Sequence, residues 1–590
     1  AACLALAAPA AEAADPVVLY RGNGAEPDTL DPQKATGQWE NNILGDMFMG
    51  LMTEDSKGEP LYGMAESYTV SDDGLVWTFK LRPGIVWSDG VPVTAGDFVF
   101  AYQRINSAAT SSQYASLTHV IKNAAGVLAG TIPPDQIGAR AIDDATLELT
   151  LEHPASYLPQ LLMHYALYPV PKHAIEKFGD DWVKPGNYVS NGAYTLAEWR
   201  PNEFVRVVKN PKFFDAANVK IDEVVYYSQE DQLANVKRFR AGETDISQGI
   251  PGQQIDELRR SMPDKVRIAP YIANWYITFN LTEDPWKDQR IRTALGLAIN
   301  REELTGKILR AGETPAYTFV QPNIPNYPHE AKLFYADMPM DQRLALARKL
   351  LAEAGYGPDN PLTFEFLHMQ STDSKRIGIA LQGFWAQIGV KMTPAGSETK
   401  TVYANLRNQN FQVALAGWIA DYPDASNYLY LAETSSEEMN YSKYSNAAFD
   451  QLNNDADNEP DPVKRGEMLN RAEQMMLDDA PMVPIYNAVS RNLVAPYVKG
   501  WDDALTNNHR TRWISIDVEA QAAARGKTKA ASAGPAGNAA KDEGGMGLGL
   551  PISIGVARTK HLAKIASQVA KPDGLVTVDP ERELAFLHDL

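Results

Sequence analysis

Hydrophobic and polar positions alternate along this chain with two periods, and each predicts an element. Trp77-Thr78-Phe79-Lys80-Leu81 alternates apolar and polar side chains, the pattern of a strand buried on one face. Arg82-Pro83-Gly84 and then Ser88-Asp89-Gly90 turn the chain. Thr94-Ala95-Gly96-Asp97 has the spacing of a capping box, so the apolar run Phe98–Tyr102 reads as helical. Leu344, Leu346, Ala347, Leu350 and Leu351 recur at helical spacing until Gly355 stops them. Ile377, Ala380, Leu381, Phe384, Trp385 and Ile388 define a second amphipathic helix, closed by Gly389 and followed by strand-like Val390-Lys391-Met392. Val413–Ile419 also reads as a strand. From Pro16 to Val518 the chain is one continuous globular stretch of mixed α/β character, without repeats.

The pattern changes near Glu519. Gln521–Gly545 is rich in Ala, Gly, Lys and Ser, a linker composition with little to bury. Met546–Leu590 carries one helical stretch, about Val556–Ala570, and is too short for a core of its own. At the other end, Ala1–Ala14 reads as the tail of a secretory signal, with Ala11-Glu12-Ala13 as a cleavage choice. Export to the periplasm is the expectation, and a lipid anchor at Cys3 is the lesser alternative.

Composition removes whole classes of function. The length of 590 residues corresponds to about four domain-sized units. A formal net charge of −19 opposes contact with a polyanion, which excludes nucleic acid as a partner. No internal run reaches the ~18 apolar residues of a spanning helix, so the chain is not an integral transporter. The single cysteine, Cys3, excludes disulfide frameworks, Cys-ligated zinc and a cysteine nucleophile in the body. No phosphate-binding loop, H-E-x-x-H or G-x-S-x-G motif occurs; Gly526-Lys527-Thr528 ends like such a loop, but Gln521 replaces its first glycine. The nine histidines are scattered, and His164 and His173 are separated by Pro169 and Pro171. No enzyme, cofactor or metal site follows, although a glycosidase working with carboxylates alone stays open.

An ordered set of short motifs carries more. It runs Glu26-Pro27-Asp28-Thr29-Leu30-Asp31-Pro32, Trp77-Thr78-Phe79-x-Leu81-Arg82, Trp87-Ser88-Asp89-Gly90 and Asp97-Phe98-Val99. Tyr168-Pro169-Val170-Pro171, Asn191-Gly192-Ala193-Tyr194, Asn210-Pro211 and Arg292-Thr293-Ala294-Leu295 follow. Leu350–Gly355, Ala416-Gly417-Trp418, Ala420-Asp421-Tyr422 and Pro484 with Tyr486 complete it. In this order the chain resembles the oligopeptide-binding, OppA-like solute-binding proteins of ABC importers, family 5.

The resemblance implies a periplasmic-binding-protein-like fold of class II (cluster C), α/β, with two main lobes and an extra third domain. By family proportions lobe I spans 16–49, 188–275 and 490–519, lobe II 50–187 and lobe III 276–489, with 520–590 as an atypical tail. The implied ligand is an oligopeptide, and the implied partners are a membrane permease and its ATPases. The binding protein itself is expected to be monomeric and to need no cofactor. Such a receptor gains affinity from what all peptides share, the extended backbone and the α-ammonium.

On spacing alone, Asp421-Tyr422-Pro423-Asp424 is a turn; the resemblance makes Asp421 the partner of the ammonium, with Asp424 as the competing acid. The adjoining Gly417, Trp418 and Ile419 would offer backbone partners, although Trp418 reads equally as core. Ala35, Thr36, Gly37 and Gln38 would face them from lobe I. Tyr114, Tyr271 and Tyr486 match positions that approach ligand in the family, and each also reads as a packing residue. Arg407 lies near a family Arg but one position displaced; Leu415 and Thr399 replace a family Arg and a pocket Trp. Recognition of a carboxyl end at fixed length is therefore weakened. Dipeptides, murein peptides, nickel chelates and oligosaccharides are alternative ligands, and a chaperone or an enzyme is the alternative class. In the tail, Gly544–Ser553 resembles the Gly-rich nucleotide box of histidine kinases over about ten residues, without room for the rest of that machinery.

Overall fold

The computed structural model describes residues 15–436, 439–532, 554–556 and 575–577. The signal-like segment, the Gly-rich box and the helix expected at about Val556–Ala570 lie outside them, apart from Val556, which ends a strand. The chain divides into two compact units, 1–528 and 529–590. In the second, Ile554–Val556 pairs in parallel with Leu575–Thr577.

The predicted local elements form. Val76–Leu81 is a strand of a four-stranded antiparallel sheet with Ala65–Val70, Thr146–Thr150 and Ala139–Asp143. Asp97 accepts from the Thr94 N–H at 2.8 Å and starts the helix Ala95–Ile105. The helices Met340–Glu353 and Thr372–Ala386 end before Gly355 and Gly389, whose φ of +92° and +81° suits a residue without Cβ.

Two hydrophobic cores organise the larger unit. One is built from 19–258 with Ala311 and a return between Leu493 and Ile514; the other runs from Ile272 to Tyr486. An eleven-stranded mixed sheet extends through both. Its two long strands, Val266–Phe279 and Met482–Val494, are antiparallel neighbours and are the connection between the cores. Their pairing breaks between Pro270 and Asn274. There Ile272 turns to other partners, donating its N–H to Leu505 O and accepting from Ala420 N–H, each at 2.9 Å. A register break in two shared strands concentrates bending at one place, because fewer ladder bonds resist it.

The chain does not become linker at residue 520. Val518–Ser532 is a helix. The Ala-rich composition that reads as linker is also the strongest helix-forming composition, and this helix has something to hold. Asp245 is fully buried and takes hydrogen bonds from Tyr20 N–H, the Tyr497 hydroxyl and Gln521 Nε2. Arg525 supplies the positive charge at 3.1 Å and lies 4.2 Å from the centre of the Tyr20 ring. Gln521→Ala with Arg525→Ala strands a buried carboxylate, and a loss of about 1–3 kcal/mol in chemical unfolding is expected. An unchanged denaturation midpoint would show that the helix adds nothing.

Candidate ligand-binding site

The strand Val413–Ile419 lies in the middle of the sheet yet has an open edge. On one side it pairs along its whole length with Ala273–Phe279. On the other, Thr363–Met369 reaches only Val413 and Ala414. Further along, the Gly417 carbonyl accepts a side chain, the Tyr403 hydroxyl at 3.4 Å. The strand therefore ends as a partly unpaired edge that points its last residues, Ile419 to Asp421, into a cavity.

That cavity, about 130 Å³, is lined from both cores. Ile272, Ile419, Ala420, Asp421, Tyr422 and Pro423 form the second-core wall. Opposite stand Thr36, Gly37, Gln38 and Asn41 at the start of the helix Gln38–Met47, with Tyr114. Gln160, Met163, His164 and Tyr165 add a third side, and Glu54, Thr506, Asn508 and Arg510 the floor. Ile419 is 53% exposed, and the strand opens toward it, from fully buried Val413–Ala416 through half-buried Gly417 and Trp418.

Among the described residues, Asp421 is the acid in the wall whose charge no neighbouring cation cancels. Burial pushes its carboxyl up to about 7, and only a hydrogen bond from Asn427 acts in the other direction. The Asn427 side chain fixes the loop, accepting from the Asp421 N–H at 3.0 Å and from Trp418 Nε1 at 3.1 Å. Asp424, the competing acid, is committed: Arg465 grips both its oxygens at 2.8 and 2.9 Å. Burial raises the Asp424 pKa, but the Arg465 charge and hydrogen bonds outweigh it and the net shift is downward. Arg510 is also spent, on Glu54 at 2.6 Å and on Asn41 O and Oδ1 at 2.7 and 3.0 Å. Asn508 links these groups, accepting from Gln38 and Asn41 and donating to Glu54. His164 is held neutral: burial and the Arg510 charge push it down to about 3, and it stacks on Tyr165.

The remaining sequence-selected residues are outside the lining of the cavity. Ala35 is buried behind it, its carbonyl accepting from the Tyr165 hydroxyl at 3.2 Å. Gly417 packs on Trp275, with no room for a Cβ. Trp418 turns toward Asn427 and Tyr430. Tyr271 sits near enough to Tyr114 to act on its hydroxyl. Tyr486 is buried and stacks on Trp275, with 6.1 Å between ring centres. Arg407 is exposed and bonds Tyr441. Leu415 is fully buried in the second core.

The sequence reading missed the third side and the floor. Gln160 to Tyr165 carried only the signal of an apolar, aromatic run, and Asn508 with Arg510 none. Gly37 shows what fixes the facing segment. Its N–H donates to Glu40 Oε2 at 2.8 Å, and Trp39 and Glu40 crowd it so closely that a Cβ would collide.

Comparison with known proteins shows the family and the fold. The sequence model for "Bacterial extracellular solute-binding proteins, family 5 Middle" matches residues 59–440. The chain is 38% identical over 495 residues to the periplasmic oligopeptide-binding protein OppA of Salmonella typhimurium, covering 83% of this chain and 90% of the relative. It is 37% identical to the probable deoxycholate-binding periplasmic protein YgiS of Escherichia coli, covering 82% and 90%. A crystal structure of Haemophilus influenzae OppA in complex with RPPGFSPFR superimposes with a TM-score of 0.76 at 34% identity, covering 85% of this chain and 99% of that one. The fold is thus the periplasmic-binding-protein-like α/β fold, and the chain belongs to the bacterial extracellular solute-binding proteins of family 5.

Proposed function

We propose that this protein is the extracytoplasmic receptor of a peptide ABC importer, which closes around an oligopeptide and hands it to a membrane permease driven by ATPases. The observation that carries the reading is Asp421, an uncompensated carboxylate at the end of a strand whose edge is open. An α-ammonium beside Asp421 cancels the charge that burial makes costly. A peptide backbone laid along residues 415–419 then gains hydrogen bonds whatever its sequence, as in strand addition. The site residues are Asp421 for the ammonium, Ile419 and Gly417 for the backbone, and Thr36 to Gln38 with Tyr114 opposite.

Two cores joined by a pair of broken strands suit a flytrap of lobe I (16–49, 188–275 and 490–519), lobe II (50–187) and lobe III (276–489). The receptor acts as a periplasmic monomer and performs no covalent chemistry. A bile-acid ligand, as the name of one relative suggests, places an anion where Asp421 already stands, and Coulomb repulsion opposes it.

Denaturing the purified protein and analysing released molecules by mass spectrometry tests the reading. A ladder of short peptides of mixed sequence is expected; a single non-peptide species would overturn it. The charge of −19 adds long-range attraction for cations. Lys-rich peptides are therefore expected to associate faster than Glu-rich ones of equal length at low salt, and the difference should shrink at high salt. Faster capture of the acidic set would refute steering.

A further inference from the structure

Three side chains from separate segments stack where the two cores meet. Tyr157, in the loop after the strand Thr146–Thr150, is 8% exposed and belongs to the first core. Its ring lies on that of Tyr422, with 5.2 Å between centres and 6° between planes. Tyr422 leaves the second-core strand directly after Asp421, yet packs against the first core. On the Tyr157 ring also sits Arg465, from the helix Pro462–Asp479, its guanidinium carbon 4.8 Å from the ring centre. A narrow crevice runs along the same seam, with Tyr157 and Gln160 on one wall and Pro423 and Arg465 on the other.

We propose that the Tyr422–Tyr157–Arg465 stack is the clasp that keeps the cleft shut, so that Tyr157, which lies outside the main cavity, sets how long a ligand stays bound. This rests on the reading that Asp421 receives the ligand's cation. Arg465 has its charge met by Asp424, and their segments, through Ala425 and Leu469, both belong to the second core, so that ion pair persists whether the cleft is open or closed. What closure adds is the face of Tyr157, which offers a stacking partner to Tyr422 and a π surface to the guanidinium. An interaction present only in the closed state shifts the open–closed equilibrium without touching ligand. Because Tyr422 is the residue after Asp421, seating the acid on a ligand ammonium also seats the ring. Capture and closure become one event.

Release of RPPGFSPFR, the peptide held by the Haemophilus influenzae relative, decides the matter when followed by stopped-flow chase. Tyr157→Ala is expected to release it about tenfold faster, with association changed by less than about threefold. Tyr157→Phe keeps both ring contacts and is expected to release at the wild-type rate. An Ala variant that is less stable yet releases at the wild-type rate would overturn the clasp. So would a Phe variant that releases as fast as the Ala variant. Should the wild type hold no peptide at all, the Asp421 reading fails on its own. Small-angle scattering then judges the clasp separately: a larger radius of gyration in free Tyr157→Ala than in the wild type supports it, and equal radii refute it.

Discussion

Asp421→Asn is expected to weaken binding of a free-amino peptide by about 100-fold or more, the usual consequence of removing one member of a desolvated charge pair. The substitution keeps the size and the bond from the Asp421 N–H to Asn427 that holds the loop, and alters only the Asn427 contact to the carboxyl itself. N-acetylation of the peptide should cost the wild type a similar factor and the variant almost nothing. That non-additivity is the signature of a direct contact. Equal losses in both proteins, measured by titration calorimetry, would remove Asp421 from the ammonium site.

The same residue sets a pH dependence. Burial pushes its carboxyl up to about 7, whereas an unfolded Asp ionises near 3.9. A raised acid retains its proton longer in the folded protein, so the folded form loses stability as pH rises from about 4 to about 7. A ligand ammonium reverses the balance by favouring the carboxylate. Binding between about pH 5 and 7 should therefore release a proton, and affinity should rise by up to about tenfold per pH unit before levelling near 7. Asp421→Asn should be flat over that range. A wild type as flat as the variant would show that Asp421 is already ionised before ligand arrives.

Arg465→Met carries the largest expected effect on stability, a loss of about 3–5 kcal/mol in chemical unfolding. Arg465 and Asp424 are both buried side chains held by two parallel hydrogen bonds, and Met fills the volume without supplying charge. In the wild type Asp424 is lowered below its usual value by that pair. Its contribution is therefore present above about pH 4 and lost as pH falls through the native pKa. In the variant burial, the largest influence on the carboxyl, is opposed only by the Ser426 hydrogen bonds, its pKa turns upward, and stability should fall as pH rises above about 4. Opposite pH slopes in the two proteins would establish that this acid is structural and distinct from Asp421.

Several elements were legible without coordinates because their determinants are local. The Thr94–Asp97 box, the stops at Gly355 and Gly389 and the strand at Val413–Ile419 depend on residues a few positions apart. The wider fold was legible through the ordered motifs, several of which keep structural duties. Asp31 grips Arg104, and Arg292 caps backbone carbonyls at Ala480 and Trp286. Spacing did not separate Asp421 from Asp424, since both lie in one turn, and only the family resemblance favoured Asp421. Only the arrival of Arg465, 41 positions further on from Asp424, commits one of them.

The composition of residues 521–532 was misleading for a related reason. Alanine-rich chain is linker or helix according to whether a buried partner awaits it, and Asp245, 280 positions before Arg525, is such a partner. Sequence alone determined the elements, the family and the acid-bearing turn, because periodicity, capping and motif order act within reach of the chain. Tertiary structure alone decided what commits Asp424, which strand edge is open and which rings meet across the seam. Those outcomes depend on desolvation and on charges brought together from distant segments, and neither is encoded at any single position.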